Sequence, residues 1–425
     1  MSDTIKPIEE ELNKINIFDP ELMACPHAFF KKLRDEAPVY RDPNTGIFQV
    51  SKHELICEAA RNAKVFSNDF GALQRDGGSD TYPQEAADIM EKEGYPAVNT
   101  MLTADPPRHT KYRSLVDKAF SPKRVSDMGP AIEEKTNLII DQFIEDGKCE
   151  VASQLAQPLP IRVIAEALGA STDDYEFFRI SSEAFTDQLS GTSTPEEHIE
   201  IAKKLVKFQQ YFAERLNEKT KNPSDDILSD LATLEFEDEN NVLRKMETPE
   251  QLSIIQQLLV AGNATTAHSI TEAIKLLIEN PDQMELVIND HSLIPNMIEE
   301  ALRLLTPTNN MWRIATEDTE LGGVAIPAGS ALLLRYGSGN RDEDLFENPD
   351  KFDVTRKNAR RHVAFGQGIH VCLGMNLSRK EMYTAFPIIL DRLKNMRFSE
   401  GNEFIYSPNV LLRGLDNLYI EFDKV

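Results

Sequence analysis

The sequence predicts a mostly helical protein with a minor β-sheet, and three observations support this fold class. Apolar residues recur at helical spacing along long stretches of the chain, whereas segments with strand character are few and short. The 425 residues contain no linker rich in proline, glycine and serine, no internal repeat and no low-complexity block. We therefore predict a single domain over residues 1–425 rather than two or three smaller ones.

The individual elements follow from these patterns in chain order. Helices are predicted over Pro26 to Asp35, Pro130 to Ile144, Glu196 to Leu216 and Pro295 to Leu305. Strands are predicted around Val39 to Arg41, Ile47 to Ser51, Glu320 to Ile326, Ala331 to Arg335 and Leu418 to Phe422. The polar stretch from Glu235 to Glu247 is predicted to be an exposed loop.

A long central helix is predicted from Pro249 to Glu279, where Pro281 follows shortly. Residues Thr248 to Gln251 read Thr-Pro-Glu-Gln, which has the form of a capping box with proline at the first helical position. The helix would be roughly 46 Å long, enough to cross a domain of this size. Its middle, Ala261 to Thr266, reads Ala-Gly-Asn-Ala-Thr-Thr. Gly262 costs about 1 kcal/mol of helix stability against alanine, and taken alone it would indicate close helix packing.

The segment from Phe365 to Gly374 reads Phe-Gly-Gln-Gly-Ile-His-Val-Cys-Leu-Gly and is the most informative part of the chain. Gly366 and Gly368 allow positive backbone angles and let the main chain approach a flat ligand closely. Because apolar residues recur at helical spacing from Leu373 onward, Cys372 is predicted to lie at a helix N-terminus. The helix dipole and the unpaired backbone N–H groups there favour a thiolate, which suits an axial ligand to haem iron.

The composition indicates an intracellular enzyme and disfavours two classes of partner. The four cysteines (Cys25, Cys57, Cys149 and Cys372) are scattered without a CxxC pair, which implies a reducing compartment. The N-terminal sequence is polar and acidic and has no apolar h-region, so neither secretion nor a membrane anchor is expected and a cytoplasmic location is predicted. The net charge of −24 disfavours nucleic acid and anionic membrane as partners.

The spacing Phe-Gly-x-Gly-x-His-x-Cys-x-Gly resembles the haem-binding signature of the cytochrome P-450 family. The resemblance covers nearly the whole chain and is strongest from about Thr248 to the end. It implies the cytochrome P-450 fold, with haem b between the long central helix and the cysteine-loop helix. It also implies that Cys372 binds the iron and that neighbouring loop residues contact the haem, namely Phe365, Gly366, His370 and Gly374.

The middle of the central helix resembles the oxygen-binding stretch of the same family, Ala-Gly-x-acid-Thr-Thr. The resemblance implies that Ala261 lies against the haem, that Thr265 offers its hydroxyl to the distal oxygen, and that Thr266 completes the catalytic pair. The acid position holds Ala264, which is a departure from the family pattern. Alanine cannot relay protons. The relay could instead run through waters, Asn263 or a substrate group. Otherwise the chain has a specialised chemistry or carries an engineered change at this position.

The remaining family features concern the support of the haem. Glu300 and Arg303 lie three residues apart on one helical face. They resemble the Glu-x-x-Arg pair of the family, which has a structural role and also engages the stretches Asn340 to Asp342 and Phe352 to Arg356. The two haem carboxylates need cationic or hydrogen-bonding partners. The resemblance assigns that role to His109, Arg113, Arg313 and His370.

The resemblance implies a soluble haem-thiolate monooxygenase that inserts one atom of O2 into a small organic substrate, by hydroxylation or oxidative demethylation. Electrons would come from NAD(P)H through ferredoxin reductase and ferredoxin. The cationic run from Arg356 to Arg361 is where we expect a small acidic iron–sulfur protein to dock. The alternatives are a haem-thiolate peroxygenase or isomerase, which would not need the acid relay, and a non-catalytic haem sensor or carrier. The sequence does not identify the substrate.

Overall fold

The computed structural model describes residues 11–70, 82–190 and 193–424. The predicted fold class is confirmed, since α-helices predominate in this part of the chain and the strands are short. The chain divides into two compact units, which are described separately: a first unit of Met1–Ser67, Ser126–Leu159 and Thr265–Val425, and a second unit of Asn68–Val125 and Pro160–Ala264. The expectation of one domain over residues 1–425 stays a prediction.

The helices and strands of the described residues follow one another in a mixed order. The α-helices are α1 Pro20–Ala24, α2 His27–Glu36, α3 His53–Arg61, α4 Gln84–Glu93, α5 Arg108–Val116, α6 Pro122–Asp127, α7 Gly129–Asp141, α8 Pro158–Leu168, α9 Tyr175–Ser190, α10 Pro195–Lys221, α11 Ile227–Thr233, α12 Thr248–Glu279, α13 Pro281–Asn289, α14 Ile294–Leu305, α15 Tyr336–Gly339 and α16 Met375–Arg392. The strands are β1 Val39–Arg41, β2 Phe48–Val50, β3 Phe66–Ser67, β4 Lys148–Glu150, β5 Glu235–Glu237, β6 Leu243–Lys245, β7 Asn310–Ala315, β8 Thr319–Leu321, β9 Val324–Ile326, β10 Ala331–Arg335, β11 Leu393–Phe398 and β12 Tyr419–Lys424.

Strand β10 lies at the centre of the larger sheet of the first unit. This sheet has the order β1-β2-β10-β7-β3, and β10 runs parallel to β2 but antiparallel to β7. Leu332 and Leu334 of β10 are paired with Phe48 and Val50 of β2, so all four side chains lie on one face of the sheet, where they are buried. A smaller sheet of the same unit has the order β11-β12-β4. The apolar face of the larger sheet anchors the core of the first unit.

Helix α10 organises the second unit. Its N-terminus is closed by a capping box between Thr194 and Glu197, with Pro195 at the start of the helix. Helices α4, α9 and α11 pack against it. Between α9 and α10, the rings of Phe178 and Phe212 lie 6.0 Å apart and are fully buried. The second unit therefore has an aromatic core of its own.

Most elements predicted from sequence are confirmed, with ends that differ by a few residues, but two predictions were wrong. The segment predicted as one strand, Glu320 to Ile326, forms the hairpin of β8 and β9, because Gly322 and Gly323 both take positive φ angles and turn the chain. The predicted loop from Glu235 to Glu247 contains the hairpin of β5 and β6. Its turn is stabilised by the Asp238 carboxylate, which accepts backbone N–H groups two and four residues further on.

The central helix α12 forms as predicted, but its N-terminal cap is displaced by one residue. The carboxylate of Glu250 accepts the backbone N–H of Glu247 at 2.7 Å, so the reciprocal bond spans Glu247 to Glu250 instead of Thr248 to Gln251. Arg244 donates two hydrogen bonds of 2.7 Å to the same carboxylate. Since the charged partner holds Glu250 at the helix end, the helix begins at Thr248.

Within the described ranges, no helix combines the length and the apolar composition needed to cross a lipid bilayer. Residues 1–10, on which part of the expectation about the N-terminus rests, lie outside these ranges.

A carboxylic acid is buried in the core of the first unit. Glu381 of α16 is 3% exposed, and its Oε2 has no hydrogen-bond partner among the described residues. Burial raises the pKa of Glu381 well above its ordinary value, because an unpaired carboxylate loses its hydration inside a protein. The folded chain therefore keeps the proton on Glu381 to a higher pH than the unfolded chain does.

We expect Glu381→Gln to stabilise the fold more at pH 8 than at pH 5. A raised folded-state pKa contributes stability only below the unfolded-state pKa of roughly 4.3, and that stability is lost as the pH rises toward the folded-state pKa. Each unit by which the pKa is raised costs about 1.4 kcal/mol at higher pH, and glutamine removes this cost. Thermal unfolding at both pH values measures the effect, with the exposed Glu285→Gln as the matched control. An equal change at the two pH values would contradict the interpretation.

Candidate functional site

The sulfur of Cys372 lies where a loop turns into helix α16. The helix begins at Met375 with Gly374 as its N-cap, so Cys372 precedes the cap by two residues at the N-terminal end of the helix. Its own backbone N–H donates to the carbonyl of Phe365 at 2.9 Å, which closes the loop. The N–H groups of Leu373 and Gly374 donate to no protein acceptor in the described residues. Cys372 as a residue is partly exposed.

The loop before the cysteine depends on glycines. Gly366 and Gly368 have φ angles of +70° and +74°, which favour glycine over other residues. A Cβ added at Gly368 would lie 2.4 Å from the carbonyl oxygen of Ala60 in α3. The loop is therefore packed directly on the backbone of α3. His370 ends the short 3₁₀ turn Gly368–His370 and is partly exposed.

Glu299 of α14 joins the cysteine loop to its helix, a role that the sequence analysis missed. Arg379 donates two hydrogen bonds of 2.7 Å to Glu299, and the ring of Phe365 lies 4.8 Å from the Arg379 guanidinium carbon. Tyr383 and the buried His362 bind the same carboxylate at 2.6 and 3.1 Å. Burial acts to raise the pKa of Glu299, but these hydrogen bonds outweigh it and hold the pKa well below its usual range.

The neighbouring Glu300 forms the pair with Arg303 that the sequence predicted. The two side chains are fully buried and share hydrogen bonds of 2.7 and 2.8 Å. Arg303 donates further to the carbonyls of Asn340 and Pro349, at 2.9 and 2.6 Å. Arg356 donates to Glu300 at 2.9 Å. The buried charges are thus compensated within one network, as burial requires.

Arg313 has the environment of a residue that lacks one partner. It lies on β7, is 1% exposed, and donates through Nη1 only to the carbonyl of Trp312, at 2.7 Å. Its Nε has no hydrogen-bond partner among the described residues. A buried guanidinium with an unused N–H is costly, and a carboxylate would satisfy it. The donor set of the first unit, one thiol and one under-bonded arginine, therefore fits haem with its propionates.

His109 and Arg113, the other two candidates for the haem carboxylates, lie one turn apart on α5 of the second unit. His109 is buried, and both its burial and the nearby Arg113 lower its pKa, so the ring is neutral at pH 7. Arg113 donates to Asp117 at 2.8 Å. Their assignment to a haem carboxylate stays a prediction.

The middle of α12 is open at its small residues. Ala261 is exposed, and a Cβ added at Gly262 would meet no atom within 4 Å, so this glycine does not serve close helix packing. Ala261, Ala264 and Thr265 share a face because they are three and four residues apart. Asn263 points to the opposite side, where it is 3% exposed and neither polar atom of its amide has a partner among the described residues. This position does not suit Asn263 as a substitute for the missing acid.

The two threonines of α12 have different surroundings. Thr265 is partly exposed, and its carbonyl accepts the hydroxyl of Ser269 at 2.7 Å. Thr266 is 2% exposed, and its hydroxyl lies 3.1 Å from that of Ser378 on α16. Thr266 thus links α12 to the cysteine-loop helix, and this contact gives it a structural role. Its predicted catalytic role stays a prediction.

The cationic run from Arg356 to Arg361 has two kinds of member. Arg356 is buried and engaged with Glu300, so it is not available at the surface. Lys357, Arg360 and Arg361 are exposed. The surface charge of this run is therefore three rather than four.

The chain matches the family model of cytochrome P-450 over residues 72–412. It is 34% identical to a steroid C26-monooxygenase of Rhodococcus jostii over 392 residues, which cover 89% of this chain and 79% of that protein. It is 32% identical to a linalool 8-monooxygenase of Pseudomonas putida over 419 residues, which cover 96% of this chain and 99% of that protein.

Solved structures agree with the sequence relatives. The cytochrome P-450 CREJ in complex with (4-ethylphenyl) dihydrogen phosphate superimposes with a TM-score of 0.89 and 27% sequence identity, covering 97% of this chain and 100% of that one.

We expect Glu299→Gln to destabilise the first unit by about 3 kcal/mol, because it leaves Arg379 without its buried counter-charge. A depressed folded-state pKa contributes stability above the unfolded-state pKa and loses it as the pH falls through the folded-state value. The difference in free energy of unfolding between wild type and variant should therefore be largest at pH 7 and become smaller below about pH 4. Urea unfolding at several pH values measures it. Glu176→Gln, at an exposed residue that loses its ion pair with Arg179, is the control and should leave the free energy of unfolding unchanged. A destabilisation by Glu299→Gln that is the same at every pH would contradict the low pKa assigned to Glu299.

Proposed function

The chain belongs to the cytochrome P-450 family, and we propose that it hydroxylates an apolar organic substrate with electrons from separate redox proteins. The relatives named above are monooxygenases, and proteins of this family bind haem b. The observation that carries the proposal is the setting of Cys372, a partly exposed cysteine on a loop fixed at both ends. A fixed thiol near unpaired N–H groups suits a thiolate ligand.

The residues of the chain have distinct tasks in this proposal. Cys372 would bind the iron, and the thiolate-bound haem supplies the oxygen activation and electron transfer that no side chain can provide. Arg313 and His370 would hold haem carboxylates, and His109 and Arg113 are proposed for the same task on their sequence motif. Phe365, Gly366 and Gly374 would shape the surface beside the sulfur.

On α12, Ala261 and Gly262 would leave room for a flat cofactor. The Thr265 hydroxyl would donate its proton on the distal side and be reprotonated from within the chain. Because Ala264 holds no proton, that reprotonation requires another group.

Electron delivery is proposed to use an acidic iron–sulfur protein. The exposed Lys357, Arg360 and Arg361 precede the cysteine loop directly and contrast with the net charge of −24. Opposite charges accelerate association when they lie at the site of encounter. The predicted cytoplasmic location is consistent with such a partner and stays a prediction.

The substrate is proposed to be an apolar terpenoid or steroid. Two relatives carry names that specify linalool and a steroid as their substrates. The exposed Ala261 and the partly exposed Gly262 and Ala264 of α12 offer contact surface without charge. The alternative function, a peroxygenase or isomerase, is supported by one feature only, the alanine at position 264 where the family has an acid.

We expect wild-type enzyme with NAD(P)H, a ferredoxin reductase and a ferredoxin to oxygenate members of a terpene and steroid panel, and Cys372→Ser to abolish this activity. Serine removes the thiolate, so the reduced carbon monoxide complex should lose its thiolate-type absorption band. Product and absorption spectra measure the two effects, and Cys149→Ser, a buried cysteine on β4, is the matched control.

Survival of the thiolate-type band in Cys372→Ser would refute the ligand assignment. Turnover with peroxide but not with NAD(P)H and partners would favour the peroxygenase, and ligand binding without any turnover would favour a sensor or carrier.

We expect Arg361→Glu to slow reduction by an acidic ferredoxin several-fold at low salt, because it reverses one charge of the proposed docking surface. The second-order rate constant for wild type should fall as ionic strength rises, and that of the variant should fall less steeply. Stopped-flow reduction measures both. Lys207→Glu, an exposed lysine on α10, is the matched control. Equal rates and equal salt dependence for the two charge reversals would eliminate this surface.

A further inference from the structure

One face of α12 carries titratable residues at helical spacing. After Thr265 come His268, Glu272 and Lys275, at intervals of three, four and three residues, so they lie in one row. Glu272 and Lys275 are 2% and 6% exposed, and His268 is partly exposed. Charged residues are seldom buried unless they are paired, so each member of the row needs an explanation.

The two buried members of the row have partners of opposite charge or polar character. Tyr406 donates its hydroxyl to Glu272 at 3.1 Å, and Arg413 lies 3.9 Å from the same carboxylate. Lys275 pairs with Glu279 at 2.9 Å. These contacts account for Glu272 and Lys275 as structural residues.

His268 is not accounted for in this way. Its Nδ1 is buried and has no hydrogen-bond partner in the described residues. The backbone of Gly414 lies against the ring, since an added Cβ would approach Cγ to 2.0 Å and Nδ1 to 2.2 Å. The ring is therefore held in one place, but its hydrogen-bonding capacity is unused. A buried polar atom without a protein partner is a position where water or a transferred proton is expected.

Burial keeps the ring of His268 neutral at pH 7 but leaves it able to exchange protons. Burial lowers the pKa of His268 to about 4, and the carboxylate of Asp416 acts in the opposite direction. Asp416 is exposed and accepts the hydroxyl of Ser407 at 2.7 Å. On its own helix the nearest titratable group is Glu272, one turn away. A neutral imidazole has one donor and one acceptor nitrogen, so it can pass a proton from one side of the ring to the other.

We propose that His268 relays protons from the solvent side at Asp416 to the hydroxyl of Thr265 and so replaces the acid that is missing at Ala264. His268 is one turn from both Ala264 and Thr265, at a typical Cβ separation of about 5–6 Å. One ring nitrogen takes up a proton from the solvent side as the other gives its proton toward Thr265. Between turnovers the ring loses one proton to solvent and takes one from solvent at the other nitrogen, which restores the starting tautomer without any electron transfer. His268 acts through Thr265 and is a positioning residue. The inference rests on the proposed function and extends it to the source of its protons.

The first test is a double-mutant cycle between His268 and Ala264. We expect His268→Asn to lower product formed per NAD(P)H consumed by roughly 10²-fold, the lower end of what a positioned proton donor contributes, and to raise released peroxide correspondingly. In the His268→Asn background, Ala264→Glu should restore most of the product, because a carboxylate then stands at the position next to Thr265. A loss without rescue, or no loss at all, would overturn the relay.

Two further variants separate relay from packing. His198→Asn, at a buried histidine of α10 whose Nδ1 also lacks a partner in the described residues, is the matched control and should leave coupling unchanged. Gly414→Ala should displace the His268 ring without removing it. Coupling, meaning product formed per NAD(P)H consumed, should fall to a degree that follows the displacement of the ring. Each protein is first compared by its melting temperature and reduced carbon monoxide spectrum. Coupling that stays normal in Gly414→Ala despite a displaced ring would count against the relay.

A readout independent of turnover is the titration of His268 itself. In holoenzyme with ¹⁵N-labelled histidine, studied as the reduced carbon monoxide complex, the resonance missing from His268→Asn identifies the ring. We expect it to remain neutral down to about pH 5 and to titrate lower still in Asp416→Asn. A ring that is charged at pH 7, or one whose pKa does not respond to Asp416→Asn, would overturn the assignment.

The proposed function and the relay can fail separately. If wild type oxygenates nothing with NAD(P)H and redox partners, the proposed function fails. If wild type oxygenates a substrate and His268→Asn forms as much product per NAD(P)H consumed, only the relay fails.

Discussion

The buried ion pair between Glu300 and Arg303 is the contact on which the support of the cysteine loop depends. Burying the charge of an arginine without compensation would cost too much free energy for a stable fold. The buried Arg303 guanidinium is compensated by hydrogen bonds to Glu300 and to the carbonyls of Asn340 and Pro349. Arg356 adds a second cation to the same carboxylate. Because several segments distant in sequence meet on one charge pair, the chain that leads to Cys372 has little freedom to move.

The sequence predicted the elements of this arrangement better than their connections. Hydrophobic spacing was sufficient to predict α12, α14 and α16, and the Glu-x-x-Arg motif identified the buried pair. Nothing in the sequence singled out Glu299, because its partners Arg379 and His362 are far away along the chain and adjacent only after folding. The displaced cap of α12 has a similar origin, since Arg244 competes for Glu250 from outside the helix.

The cationic run and the missing acid show how burial changes the interpretation of a residue. Arg356 belongs by sequence to a run of surface charges, yet it is an internal residue. Asn263, adjacent to Ala264, is the obvious candidate to replace the acid, but the helical geometry turns it to the opposite side. His268 has no distinctive sequence context, and only its burial and the contact with Gly414 draw attention to it.

Glu299 and Glu300 are consecutive residues of α14 that serve separate networks, because successive side chains on a helix point about 100° apart. One carboxylate fixes the helix that follows Cys372, and the other fixes the chain that precedes the cysteine loop. Neither residue can be exchanged without loss unless its distant partners change with it. The dipeptide is therefore a point of strong epistasis: sequence drift in this part of the protein is confined to coordinated changes, whereas the exposed positions around it remain free to vary one at a time.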